Sequence, residues 1–122
     1  DAALSKCHLE SRRDVLVREI SYGEQRQLEL AMSLTSSPKL LLLDEPAAGL
    51  SPAERVVMAN VIRSLPRELS LVLIEHDIDL ALGLVDRVIC MYQGTVLVEG
   101  KPDEIRRDPR VQEIYLGKPR HA

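Results

Sequence analysis

Leu40-Leu41-Leu42-Leu43-Asp44-Glu45-Pro46 is the stretch on which the fold turns. Four apolar residues are bounded by Pro38-Lys39 on one side and two acids and a proline on the other. That pattern predicts a short strand buried on both faces, as in parallel sheets. An acid at the carboxyl end of such a strand stands at the rim, where open α/β sheets bind ligands. An Asp there can hold the Mg²⁺ that bridges nucleotide phosphates, and a second carboxylate beside it can polarise an attacking water. By itself the stretch fits a strand ending in a solvated acidic turn equally well.

Working outward, Leu69–Glu75 reads as a second buried strand, Ile78–Val85 as a short helix and Asp86–Tyr92 as a third strand. Gln93-Gly94 turns that strand into Thr95–Glu99 as a hairpin. Ser51-Pro52 opens a helix running to about Leu65, with Pro at its first position. Tyr22 to about Ser36 follows a helical face, with Ser21 as N-cap and Glu24 completing a capping box. Ser36-Ser37-Pro38 ends it. Residues 1–20 read as a short helix and a connecting segment, and two short helices follow near Pro102–Arg107 and Pro109–Leu116. Strand, helix, strand, helix, strand is the order of an α/β fold with a parallel sheet.

Composition narrows the function. The chain has 122 residues, 45% hydrophobic and 29% charged, which suits one domain at most or part of a larger one. No apolar run approaches the ~20 residues that span a bilayer. Sixteen basic against 19 acidic residues leave a net charge of −3, which argues against a dedicated nucleic-acid surface. The only aromatics are Tyr22, Tyr92 and Tyr115, so no stacking platform for single-stranded nucleic acid is expected either. Cys7 and Cys90 lack metal-ligand spacing, and a reducing compartment is the simpler reading. Nothing reads as a signal peptide, and a chain opening Asp1-Ala2-Ala3 is expected to have been processed or cut.

Two further stretches flank the acid pair in a fixed order. Ile20-Ser21-Tyr22-Gly23-Glu24-Gln25 is a Gly-containing turn that offers a hydroxyl, backbone N–H groups and a positive helix end to an anion. A capping box without a ligand would look the same. Ile74-Glu75-His76-Asp77 puts a lone His just past the second strand, where a surface loop would also account for it.

Together these stretches resemble the nucleotide-binding domain of ABC transporters, over about Leu16 to Leu116. Ile20–Gln25 resembles the ABC signature, Leu40–Glu45 Walker B with its catalytic Glu, Gly49–Pro52 the D-loop, and His76 the switch histidine. The wording of Ser21–Ala31, Asp44–Leu50 and Gly100–Ile105 is similar to branched-chain amino-acid import ATPases. The resemblance implies the carboxyl-terminal part of a RecA-like P-loop NTPase domain: residues 1–20 would end the helical subdomain, and 21–122 would hold the signature and the rest of the ATP-binding core. It implies that Asp44 holds Mg²⁺, Glu45 handles the attacking water, and His76 contacts the γ-phosphate. Ser21, Gly23 and Gln25 would reach the ATP of a second, head-to-tail subunit. Permease subunits would be direct partners at the cytoplasmic face of the membrane, and a binding protein an indirect one. Ser51 stands where the family usually has Asp or Asn, so that residue's role is not carried over.

One motif is missing from these residues. A phosphate loop needs Gly-x-x-x-x-Gly-Lys-Ser/Thr. The Gly-Lys pairs here, Gly100-Lys101 and Gly117-Lys118, are each followed by Pro. The chain alone is therefore expected to bind ATP weakly and to lack ATPase activity. The family's sheet order also places the phosphate-loop strand between Leu69–Ile74 and Arg87–Met91, so those two strands are expected to close on each other or recruit a second copy. The alternatives are a chromosome or repair ATPase of the same superfamily and a non-catalytic interaction module. The ~15 residues between signature and Walker B leave no room for the long coiled coil of the former.

Overall fold

A computed structural model of the chain describes residues 1–115 and 117. They form two compact units, one up to Leu73 and the other from Ile74 on, which are described separately. Leu116, the expected last residue of the final helix, lies outside the described residues.

The first unit opens with α1 (Ala2–Lys6) and two single 3₁₀ turns, Glu10–Arg12 and Val17–Glu19. Helix α2 (Tyr22–Leu34) begins at Ser21, whose hydroxyl accepts the Glu24 N–H at 3.1 Å while the Glu24 carboxylate accepts the Ser21 N–H at 2.8 Å. It stops because the Thr35 hydroxyl bonds back to the Met32 carbonyl and Ser37 takes a left-handed φ of 51° ahead of Pro38. Strand β1 (Leu40–Asp44) follows, then α3 (Pro52–Arg63) and β2 (Ser70–Ile74). β1 and β2 are hydrogen-bonded neighbours. The Ser70 N–H donates to the Lys39 carbonyl at 2.9 Å, so both strands start side by side, the register of a parallel pair joined through α3.

Burial corrects the expectation of strands covered on both faces. In β1 only Leu41 is buried; Leu40 and Leu42 are 53% and 68% exposed. In β2 no residue is buried, and Val72 and Ile74 are exposed. A strand is covered on two faces only when a layer lies on each. Here the buried apolar residues on α2 (Leu30, Ala31, Leu34) and α3 (Met58, Ala59, Val61, Ile62) supply one layer. Cys7 and Leu9 are buried at the start of the chain, and the Gln27 amide donates to the Cys7 carbonyl at 2.8 Å, which satisfies a buried polar side chain.

The second unit holds α4 (Ile78–Leu82), β3 (Val88–Tyr92), β4 (Thr95–Gly100), α5 (Pro102–Arg107) and α6 (Pro109–Tyr115). β3 and β4 form the expected hairpin. Gln93 and Gly94 both have positive φ, 48° and 78°, which matches the twist of the flanking strands. Ile78, Leu82, Cys90, Ile105 and Val111 form its core. Both cysteines are free and buried, and burial pushes the Cys7 thiol up to about 11.

The expectation that Leu69–Ile74 and Arg87–Met91 close on each other is not met. β2 pairs with β1 and β3 with β4, in two separate two-stranded sheets. Each strand has one partner, β3 through a two-residue turn and β2 through the α3 crossover, and each is an edge of its own two-stranded sheet.

Candidate functional site

Three short segments of the first unit carry the candidate residues other than His76. The rim of β1 brings Asp44, exposed, and then Glu45. Glu45 has a φ of 47°, a left-handed conformation rare for a residue with a Cβ. Strain of this kind costs ~1 kcal/mol or more and concentrates at sites where a side chain must be aimed. The turn that follows is closed by the Ala48 N–H on the Glu45 carbonyl at 3.0 Å. Asp44 also lines a cleft of ≈ 160 Å³ together with Arg26 and Glu29 of α2. Asp44 and the helix of the signature-like turn thus meet at one cleft.

The second segment is the start of α2. Ser21 holds the cap, and Glu24, one carboxylate oxygen on the Ser21 N–H, receives the Arg12 guanidinium on the other at 2.6 Å. Those two bonds, the backbone one first, hold the Glu24 carboxyl below its usual range. The Gln25 side-chain amide donates to the Val17 carbonyl at 3.4 Å, a weak bond it would have to release to reach a ligand. The Arg26 guanidinium lies 5.5 Å from the centre of the Tyr22 ring and pairs with Glu29 at 3.0 Å.

The third segment is the start of α3. It repeats the capping box of α2: the Ser51 hydroxyl accepts the Glu54 N–H at 3.2 Å, and Glu54 Oε2 accepts the Ser51 N–H at 3.0 Å. Glu54 does more. Its Oε1 accepts the Gly23 N–H at 3.1 Å, across 31 residues of sequence. The bonds from the Ser51 and Gly23 N–H groups lower its carboxyl. Tyr22 joins the same two turns from another side: a Cβ on Gly49, which has a φ of 76°, would lie 3.2 Å from the Tyr22 ring. Sequence reasoning missed Glu54. The Ser-x-x-Glu spacing at Ser51–Glu54 was a signal for the cap, but no local pattern announces the reach to Gly23.

His76 is exposed and belongs to the second unit, in the turn before α4. Asp77 caps that helix, its carboxylate accepting the Leu80 N–H at 3.1 Å. Of the predicted residues, Ser21, Gly23, Gln25, Asp44 and Glu45 share one unit and His76 lies in the other.

Among the described residues no group of three metal-ligating side chains occurs. Mg²⁺ is commonly held by one or two carboxylates, several waters and substrate phosphates. An exposed Asp44 at a strand end fits such a role.

Residues 1–48 match the family described as "ABC transporter", and residues 95–121 the one described as "Branched-chain amino acid ATP-binding cassette transporter". Among solved structures, the ADP conformation of MJ1267, an ATP-binding cassette of an ABC transporter, superposes with a TM-score of 0.80 at 28% identity, over 96% of this chain and 48% of that one. The cbiO1 protein of Clostridium perfringens, part of the ABC transporter complex cbiONQ, gives 0.81 at 28% identity, over 95% and 48%. The chain belongs to the ABC transporter ATP-binding family.

Within the family its relatives are more specific. It is 44% identical over 101 residues to the high-affinity branched-chain amino acid transport ATP-binding protein LivG of Salmonella typhimurium, covering 81% of this chain and 40% of that protein. It is 38% identical over 115 residues to the lipopolysaccharide export system ATP-binding protein LptB of Acidithiobacillus ferridurans, covering 93% and 48%. The chain thus spans less than half the length of these curated relatives.

Proposed function

We propose that the chain is the carboxyl-terminal part of the ATP-binding subunit of an importer, coupling ATP binding and hydrolysis to uptake of branched-chain-type amino acids. Its place would be the cytoplasmic face of the membrane, against permease subunits that meet a binding protein on the other side. No helix among the described residues is long and apolar enough to cross a membrane. The observation that carries the reading is the strained Glu45 placed directly after Asp44 at the rim of β1, in one unit with the capped start of α2. The branched-chain assignment rests on the match over residues 95–121.

In this reading Asp44 holds Mg²⁺, which when bound would neutralise charge on the phosphates. Glu45 orients the attacking water and takes its proton. His76 donates to the γ-phosphate as charge builds there. Ser21, Gly23 and Gln25 contact the ATP carried by a second subunit, so hydrolysis needs two subunits head to tail. The 122 residues alone, without a phosphate loop, bind ATP weakly and turn over none, because that loop supplies most of the N–H donors and the Lys that neutralise a triphosphate.

The test uses the intact subunit with its permease and binding protein, reconstituted in vesicles and supplied with labelled leucine. Glu45→Gln should keep ATP binding and lower both hydrolysis and uptake by about a hundredfold or more. Parental turnover in that variant overturns the assignment of Glu45. Full ATPase activity without uptake of any branched-chain amino acid would favour the export reading that the LptB relative supports.

A further inference from the structure

Two carboxylates meet at the start of α2, and they are held differently. Glu24 belongs to that helix and is paired with Arg12. Glu54 arrives from α3. One of its oxygens stays on the Ser51 N–H of its own cap, and the other takes the Gly23 N–H. The absence of a side chain at residue 23 makes this possible: a Cβ there would lie 2.7 Å from Glu54 Cγ and Cδ and 2.8 Å from Oε1. Tyr22 packed on Gly49 holds the two turns at that separation. The Gly23 N–H is thus aimed at an anion, and the anion is internal.

We propose that Glu54 is an internal competitor for phosphate at the signature turn: its carboxylate and the γ-phosphate of the opposite subunit's ATP contend for the Gly23 N–H. This rests on the reading of Ser21 and Gly23 given above. One N–H cannot serve two anions, and a carboxylate left in place repels the triphosphate. Closure of the dimer therefore requires Glu54 to swing off Gly23. Its flexible stem allows that, and the Ser51 N–H remains as an anchor. The exchange also gives α3 a way to register nucleotide arrival at α2, because the side chain that moves is the one that caps α3.

The experiment takes the intact subunit in a Glu45→Gln background, where ATP accumulates closed dimer, and measures by light scattering the ATP concentration that gives half-maximal dimer. Glu54→Gln keeps shape and one acceptor oxygen but removes the charge. It should lower that concentration by about two- to fivefold, the range for one charge at a helix end. Ser51→Ala loosens the cap of α3 and keeps the Glu54 carboxylate, so it should not lower it. Gly23 amide exchange in the parent should slow as ATP replaces Glu54. An unchanged or raised concentration in Glu54→Gln overturns the proposal, as does an equal lowering by Ser51→Ala. Dimer that forms with ATP in every variant at one concentration overturns the proposal alone. No ATP-dependent dimer in the Glu45→Gln background overturns the site reading and the proposal with it.

Discussion

Helices α2 and α3 begin with the same device and use it for different ends. Ser21-Tyr22-Gly23-Glu24 and Ser51-Pro52-Ala53-Glu54 are both capping boxes with nearly equal hydrogen bonds. The spare oxygen of Glu24 goes to a side chain, the Arg12 guanidinium. The spare oxygen of Glu54 goes to the backbone of the other helix. Identical local chemistry can therefore end in a closed cap or in a link, and the outcome depends on what stands opposite. The position before the Glu shows why: it is Gly at residue 23 and Ala at residue 53. Only the glycine leaves room for a visiting carboxylate.

Substitution at residue 23 should have the largest effect. Gly23→Ala must push Glu54 out, since the new Cβ would sit 2.7 Å from its carbons. The loss of a charge-assisted bond should outweigh the ~1 kcal/mol that Ala gains in helix propensity. A net loss of about 1–2 kcal/mol is expected in denaturant unfolding of the intact subunit. Stabilisation by Gly23→Ala would show that the link contributes little. Next come the caps themselves. Ser21→Ala and Ser51→Ala should each cost about 1 kcal/mol. In Ser51→Ala the Gly23 amide should exchange at close to the parent's rate, because the Glu54 carboxylate and its anchor on the Ser51 N–H both remain.

The smallest effect is in acid. Glu24 and Glu54 both have folded-state carboxyls below their ordinary value of 4.5. A depressed pKa means that the stability it brings is present above the ordinary value and is lost as pH falls through the folded one. Both boxes should therefore weaken as pH drops below about 4.5, and the Glu54–Gly23 link with them. In the second unit Asp108, bonded to Arg110, is pulled down to about 2. Its bond to Arg110 should persist until the pH approaches about 2. Carbon-detected carboxyl titration resolves all three groups; a Glu24 or Glu54 carboxyl that titrates at or above 4.5 would count against its bonds.

Much of the chain was legible because its devices are local. A cap spans four residues and the hairpin turn two, so Ser21, Ser51 and Gln93-Gly94 could be read where they stand. The acid pair could be read because a strand must end where polar residues begin. Burial could not be read so directly. Leu40, Leu42, Val72 and Ile74 have the composition of covered strands, yet composition cannot say whether a second layer is present to cover them. Helix ends came out shorter than expected for a related reason: α4 stops at Leu82 and α3 at Arg63, where the backbone bonds of Gly83 and Ser64 close the last turns.

The order of elements, the family resemblance and the candidacy of Ser21, Gly23, Gln25, Asp44, Glu45 and His76 could all be read from the residues alone, because each is announced by neighbours within a few positions. Three features came from the folded chain: the left-handed backbone of Glu45, the exposed apolar side chains of β1 and β2, and the reach of Glu54 to Gly23. That last contact joins residues 31 apart, and its existence depends on two helix starts being brought within hydrogen-bond distance. Such proximity arises from packing, and packing is set by the whole unit at once.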